Sequence, residues 1–491
     1  MNRVPSGVSE SLDVVVSKIE NDPAWKVVDS LRGPNISVWR LERVKSEAEL
    51  ISRMGGDAPD LTDVSSGTFV KTIFRSTAFA CTALTAFIYF TFYLMTSLYL
   101  AKSKDLPTGA ARIVAVHGEW STRTRHILGA LPDSDPPVSA ILLLGRQHQS
   151  PEKIRGLWSG HVPALEKLPI LIPVTFRAAF TALSDMPGLL RNGLREAISA
   201  RHLLGAREEI ALAYRVYLGA TQARWWRQQR HDTRTDVLFG MTGTADTTLL
   251  EKAIQKTGDE TVHIVHGQAI GPNFAGVSDY AMFKSKLDAL AYDRLKCYKN
   301  CVVKGAVPPE PRRGRKEILL LSNLAHPMNA GFRSQGIRDE VNLLECISRA
   351  ADLLHVTNAT LSWKPHPVIH ELEPALVEQL RAAAMSLVFV ELPTDTSLAD
   401  ASKNARWVLC SPSTVATDLL QMGTLSLVLD PQRSVGSSAI SVLPRLTTLQ
   451  PEALAALMAD LDKPDKYDAV LRQAYSIIEP AGPLDLSAPL H

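Results

Sequence analysis

The chain has 491 residues, too many for one ordinary core, so two or three domains are expected. Its 45% hydrophobic and 21% charged residues exclude a disordered chain, and a net charge of +2 without any module of interleaved basic and aromatic residues gives no case for nucleic acid as a partner. The five cysteines, Cys81, Cys297, Cys301, Cys346 and Cys410, are scattered as in a reducing compartment; Cys297 and Cys301 lie close together in CYKNC, but no second pair completes a ligand set, so no metal and no cofactor are expected.

The N-terminus, MNRVPSGVSESLDVVV, lacks a basic start followed by an apolar stretch, so no secretory leader is expected. Residues 1–105 read as a helical N-terminal region with a short strand at Ile36–Leu41 and one uncharged segment, 76–101, bounded by Arg75 and Lys102. That segment has the length of a bilayer crossing, about 20 apolar residues. Its threonines, Thr82, Thr85, Thr91 and Thr96, equally suit a helix buried in the protein. The expectation is a membrane-associated region, with spanning left open.

From residue 106 the texture changes. The apolar runs RIVAVHG, SAILLLG, TDVLFGMTG and TVHIVHG alternate with helical stretches, the pattern of a parallel sheet covered on both faces, over 106–305. A long helical insertion is expected at 155–230; in it LPILIPVTFRAAF and RWWRQQR place Arg177, Arg224, Arg227, Trp225 and Trp226 either in a membrane surface or on an ordinary solvated helix. The linker VPPEPRRG follows, and the alternation restarts over 306–475 as EILLLSN, ATLSWKPHP, LVFVEL, WVLCSPST and LSLVLD, leaving 476–491 as a tail. The expected fold is α/β: two Rossmann-like, doubly wound domains with a ligand cleft between them.

The strongest constellation is WVLCSPSTVATDLLQMG. A strand ends in Ser411, Ser413 and Thr414 and a helix begins, so unpaired N–H groups and hydroxyls can meet a phosphate, with Asp418 a turn further in to reach a ribose or sugar hydroxyl. The plainer alternative is that Ser413 or Thr414 caps the helix. In WKPHP, Lys364 is a compact cation and His366, between two prolines, a donor to a leaving phosphate. Ser322 ends EILLLSN on the same donor side. In TVHIVHGQAIG a strand ends in His266 and Gly267; in VAVHGEWSTRTR another ends in His117, Gly118 and Glu119, with Arg123 and Arg125 beyond, either for an anionic acceptor or phosphate or simply solvated. Glu119 and His266 are the candidate general bases, and His366 the third catalytic candidate.

TVHIVHG, KPHP and SPSTVATDLLQMG together resemble GT-B glycosyltransferases of bacterial surface-polymer synthesis: capsule and lipopolysaccharide transferases, the sialyl- and Kdo-transferases with a His-Pro and a serine-rich motif, and the CDP-glycerol glycerophosphotransferases of teichoic acid synthesis. The resemblance spans roughly 110–470 and is carried by short motifs; NISVWRLER resembles an N-terminal stretch of such transferases. It implies that His366, Ser411, Ser413 and Thr414 hold the donor's phosphate and that His266 matches a catalytic His-Gly histidine. The acidic pair plus glycine that supplies the sialyltransferase base is not found in its usual form. The implied activity is metal-independent transfer of a sugar from a nucleotide-sugar donor to a growing cell-surface polysaccharide or lipid-linked acceptor, at the cytoplasmic face of the inner membrane. The alternatives are a CDP-alditol phosphotransferase, a sugar-nucleotide epimerase, and a non-catalytic nucleotide-sugar-binding membrane subunit.

Overall fold

The computed structural model describes residues 6–21, single positions and short runs within 73–100, and most of 105–486; the stretches of four or more residues outside the description include 22–72, 101–104, 200–205, 230–233, 266–276, 304–308, 313–316, 323–332, 366–373, 432–438 and 487–491. The expected strand at Ile36–Leu41 and the NISVWRLER stretch lie outside it.

In chain order the elements are α1 (Ser6–Asn21), β1 (Arg112–His117), α2 (Thr122–Gly129), β2 (Val138–Leu144), α3 (Pro151–Ser159), β3 (Ile170–Leu171), α4 (Phe176–Leu183), α5 (Met186–Ser199), α6 (Ala206–Gln228), β4 (Asp236–Phe239), α7 (Ala245–Lys256), β5 (Glu260–Ile264), β6 (Tyr280–Met282), α8 (Lys286–Arg294) and β7 (Asn300–Val302). There follow β8 (Glu317–Ser322), α9 (Arg333–Leu353), β9 (Thr360–Pro365), α10 (Pro374–Ala383), β10 (Val388–Glu391), α11 (Leu398–Ser402), β11 (Ala405–Cys410), α12 (Val415–Gln421), β12 (Ser426–Leu429), β13 (Arg445–Leu446), α13 (Pro451–Leu461) and α14 (Pro464–Ile478).

The strands form two separate sheets, β3-β2-β1-β4-β5-β6-β7 and β10-β9-β8-β11-β12-β13, with parallel pairing throughout. In both, the chain winds outward from the first strand to one edge, returns to the middle and winds to the other, the doubly wound order with a crevice where the direction reverses. The alternation in the first sheet shows why the runs become strands buried on both faces. Val114, Val116, Ile141, Leu143 and Leu238 enter one apolar cluster, and Ile113, Ala115, Leu142, Leu144 and Phe239 the other.

The expected helical insertion is not wholly helical. Ile170 and Leu171 of LPILIPV form the edge strand β3, because they sit in register with Ile141 and Leu142. Trp225 and Trp226 are fully buried under the first sheet, Arg224 donates to Asp185 and Arg227 is exposed, so of the two readings open for RWWRQQR the ordinary helix fits and the membrane surface does not. Cys297 and Cys301 pack half-buried against the second core, and burial, with Cys297 next, pushes the Cys301 thiol up to about 12.

Three features hold the sheets together. Apolar residues of β6, α8 and the turn between them, including Ala281, Leu287 and Phe283, belong to the same cluster as the second domain's core, and so do Val15, Val16 and Ile19 of α1. After α14 the chain crosses back: Ala481 N–H donates to Lys284 O at 2.8 Å, and Leu486 sits in the first core, where its carbonyl accepts from buried Arg112. The incoming linker is pinned at Gly423 (φ +80°), where a Cβ would lie 2.2 Å from the Glu310 carbonyl and where Arg312 N–H donates to the Gly423 carbonyl at 2.7 Å. Among the described residues no helix is long and apolar enough to cross a membrane.

Candidate functional site

A cavity of about 730 Å³ lies between the domains. The first domain contributes the residues that leave the carboxyl ends of β5 and β6 (Ile264, Val265, Met282, Phe283, Lys284) and one side of α2 (Arg125, His126, Gly129); the second contributes Thr417, Asp418, Gln421 and Met422 of and after α12. The returning tail closes one side with Ala481, Gly482 and Leu484.

Each polar group arrives there for a local reason. Lys284 lies between Met282, the last residue of β6, and Ser285, whose hydroxyl caps α8 by accepting from Asp288 N–H at 3.1 Å. The tail hydrogen bond to the Lys284 carbonyl fixes its backbone. Its ammonium donates across the domain boundary to both Asp418 oxygens, at 3.1 and 3.3 Å, with side chains only 16% and 33% exposed. Asp418 falls in the first turn of α12, where a carboxylate suits the positive end of the helix. His126 is carried on α2 with its neighbours Ile127 and Leu128 locked into the first core. Burial, and then the Lys284 charge, lower its imidazole from 6.5 to about 4, against the opposing pull of Asp418. The cavity thus holds two cations, Arg125 and Lys284, two carboxylates, Asp133 and Asp418, and an imidazole that stays neutral at physiological pH, able to accept a proton.

Of the residues singled out in the sequence, the structure brings Asp418 and Arg125 to this cavity. The partner of Asp418 there is the Lys284 ammonium rather than a hydroxyl. His117 and Gly118 end β1 half-buried at the carboxyl edge of the first sheet. Ser322 and Lys364 sit at the carboxyl ends of β8 and β9, in which Leu321 is in register with Lys364, and buried Ser411 donates its N–H to Leu321 O at 2.9 Å. β9 and β11 are therefore not neighbours: β8 runs between them. Ser322 is buried and its hydroxyl is engaged, donating to Glu340 and accepting from Trp363 Nε1 at 2.7 Å. Ser413 accepts from Val415 N–H at 3.4 Å, which is the capping alternative, on a helix of seven residues. None of Ser322, Lys364, Ser411 and Ser413 is among the described lining of the cavity. Glu119, His266, Gly267, His366 and Thr414 lie outside the described residues, as does the side chain of Arg123. Among the described residues no group of three His, Cys, Asp or Glu side chains is placed to hold a metal.

Two residues of the cavity escaped the sequence reading. The segment quoted from the end of β1, VAVHGEWSTRTR, stops one residue short of His126. Lys284 follows a strand of only three residues, too short for periodicity to reveal.

No family model matches the chain, and no curated protein matches it. Solved structures do superpose on it. MurG of Acinetobacter baumannii is 12% identical over 77% of this chain and 97% of that one, with a TM-score of 0.42. UDP-GlcNAc 2-epimerase from Neisseria meningitidis, bound to UDP-GlcNAc, is 11% identical over 74% and 96%, also at 0.42. Medicago truncatula UGT71G1, complexed with UDP-glucose, is 8% identical over 75% and 93%, at 0.40. Resemblances this remote do not extend to residues or activity; the two doubly wound sheets stand on their own strand orders.

Proposed function

We propose that the chain is a nucleotide-sugar-dependent glycosyltransferase that transfers a sugar to a cell-surface polysaccharide or lipid-linked acceptor at the cytoplasmic face of a membrane. The observation that carries the reading is the cavity between two doubly wound domains, where Lys284 of the first meets Asp418 of the second beside a neutral His126. Ligands of such sheets bind at the carboxyl ends of the strands, and a donor with an anionic leaving group needs a preorganised cation there. Lys284 supplies that cation from within the cavity, and Arg125 lines the same space. His126 takes the proton of the acceptor hydroxyl as the new glycosidic bond forms, while the nucleotide leaves as its phosphate anion. His366 on the donor side, and His266 and Glu119 as further bases, are assigned to this scheme from the sequence alone; Lys364 and Ser411 stand at the carboxyl ends of β9 and β11, apart from the described lining of the cavity.

The test is a panel of CMP-, CDP-, UDP- and GDP-linked donors, scored by thermal shift and by nucleotide release. One donor class should raise the melting temperature and release its nucleotide slowly in water, faster with acceptor. If none shifts the melt or is consumed, the proposal falls. Release of CMP from a CDP-alditol, with the alditol phosphate carried to the acceptor, would transfer the assignment to the phosphotransferase alternative, because glycosyl transfer from a CDP-linked donor releases CDP.

A further inference from the structure

The large apolar side chains left exposed among the described residues are concentrated. Of fourteen, eight lie on α4 or on the helical stretch within 73–100. On α4, Phe176 and Phe180 are 66% and 76% exposed, and Leu183 continues the same stripe at i, i+4, i+7. The other side of this helix is fully used: Ala178, Ala179 and Ala182 are buried, and Tyr217 of α6 donates to the Ala179 carbonyl at 2.8 Å. The stripe is thus the outer face of a helix already packed, and an exposed cluster of this kind marks an interaction surface. Leu84, Ile88, Met95 and Tyr99, at helical positions within 73–100, are also exposed, while Phe79 is buried with Leu212, Ala213 and Val216 against Leu189, Leu190 and Leu194 of α5.

Charge says what the surface meets. Arg177 on α4 and Arg191 and Arg195 on α5 are exposed. Of the two acids in this stretch, Asp185 is held by Arg224 and Glu196 is half-buried. An apolar stripe with one arginine beside it and two more exposed on the next helix is the pattern of helices lying in the headgroup region of an anionic bilayer. The topology adds direction. α4 leaves the carboxyl end of β3 through Ile172–Val174, and in a parallel sheet that is the edge from which β5 and β6 deliver Val265 and Lys284 to the cavity.

We propose that the face formed by Phe176, Phe180 and Leu183, with Arg177, Arg191 and Arg195, docks the protein on an anionic lipid bilayer and so brings a lipid-linked acceptor to the carboxyl edge of the first domain. This deepens the proposed function and rests on its reading of the acceptor as lipid-linked. The phenyl rings enter the acyl boundary and the guanidiniums pair with lipid phosphates.

The experiment is flotation of the full chain with vesicles of phosphatidylcholine alone and of equal parts phosphatidylcholine and phosphatidylglycerol, at low and high salt. The wild-type chain should float with the anionic vesicles. Phe176→Ser with Phe180→Ser should weaken this on the order of tenfold or more, because two buried rings are lost. Arg191→Gln with Arg195→Gln should weaken it roughly fivefold per charge and flatten the salt dependence. Both pairs are exposed, so melting temperature should be unchanged, and so should the shift produced by whichever nucleotide-sugar binds. Equal flotation of the phenylalanine variant and the wild type would overturn the proposal, as would failure of the wild-type chain to float with anionic vesicles. A wild-type oligomer that the same variant dissolves would assign the face to a second copy instead. The nucleotide-sugar arm reads the proposed function separately, since donor binding can fail while flotation holds, or the reverse.

Discussion

The two sheets share a strand order and part company at the carboxyl end of the strand that starts each. In the first, β1 ends in half-buried His117, and the helix that follows carries His126 into the interdomain cavity. In the second, β8 ends in Ser322, which is buried and committed to Glu340 and Trp363. The switch point of a doubly wound sheet is where ligands gather; among the described residues the first delivers His126 to the cavity, whereas Ser322 at the second is held in a packed polar network. The second domain reaches the cavity through α12 instead. The cores differ in the same sense. The first sheet separates two apolar clusters, whereas the second domain's core continues without a break into β6 and α8 of the first. Lys284 therefore stands on the joined side of the cavity and His126 on the side that belongs to the first domain alone.

That difference can be broken from either side. His126→Ala should have the largest effect. Loss of a general base costs on the order of a hundredfold or more in turnover, with donor affinity nearly unchanged, because the imidazole meets the acceptor. Steady-state kinetics with the donor found by thermal shift would check it; wild-type turnover would remove His126 from the scheme. Lys284→Met should act next, and in the opposite way. Removing a charge-assisted donor costs about 2 kcal/mol, so donor affinity should fall about thirtyfold, read by calorimetry, while the joined core keeps the domains together.

The acid response sharpens the comparison further, because each side holds a displaced titration. His126 is lowered from 6.5 to about 4, so as pH falls below 6.5 the unfolded chain takes up this proton before the folded one does; stability is lost down to about pH 4. The full effect is about 3 kcal/mol at 1.36 kcal/mol per unit. On the joined side, Asp288 is raised from 3.8 to about 6 by burial, opposed by its hydrogen bonds from Ser285 and from Ala439 N–H of the second domain. There the folded chain takes up the proton first, so stability is gained as pH falls through 6, and the gain is complete below 3.8. The two slopes nearly cancel between pH 4 and 6. Asp288→Asn should uncover the histidine slope, and His126→Asn the aspartate slope. Urea midpoints at pH 7, 6, 5 and 4, on the order of single-unit steps, would check both; parallel curves for all three proteins would refute the assignment.

Much of this fold is legible in the residues themselves. RIVAVH, SAILLL, EILLLS and WVLC are long, apolar and buried on both faces, and each is a strand where its pattern places it. The strands that escaped are short: Ile170–Leu171, Tyr280–Met282, Asn300–Val302 and Arg445–Leu446 exist because a neighbour offers a ladder, which no local pattern announces. The tryptophans of RWWRQQR show the opposite failure. Their flanking arginines suggested an interface, but tertiary packing of α6 under the first sheet decides, and both rings are core. The candidate site was half legible. Asp418 was marked by its place after a strand-to-helix turn, whereas its partner Lys284 is far away in sequence and meets it only through the tail and the joined core.

The smallest expected effect falls on Ser413, the residue for which two readings were open. Its hydroxyl accepts from Val415 N–H at 3.4 Å, a long bond at the start of a two-turn helix. If capping is its whole role, Ser413→Ala should lower stability by about 0.5–1 kcal/mol and leave donor binding alone. If it also holds the donor's phosphate, a comparable amount should disappear from donor affinity, since a single neutral hydrogen bond contributes about 1 kcal/mol. The two outcomes separate cleanly when melting temperature and donor titration are measured on the same variant. Asp418 on the same helix serves as the reference: Asp418→Asn removes the Lys284 counter-ion, which should tighten binding of inorganic pyrophosphate and steepen its salt dependence. A Ser413→Ala protein that melts lower and binds donor like the wild type would make the serine a cap, and would leave the second domain's part in the cavity to α12 beyond its first residue.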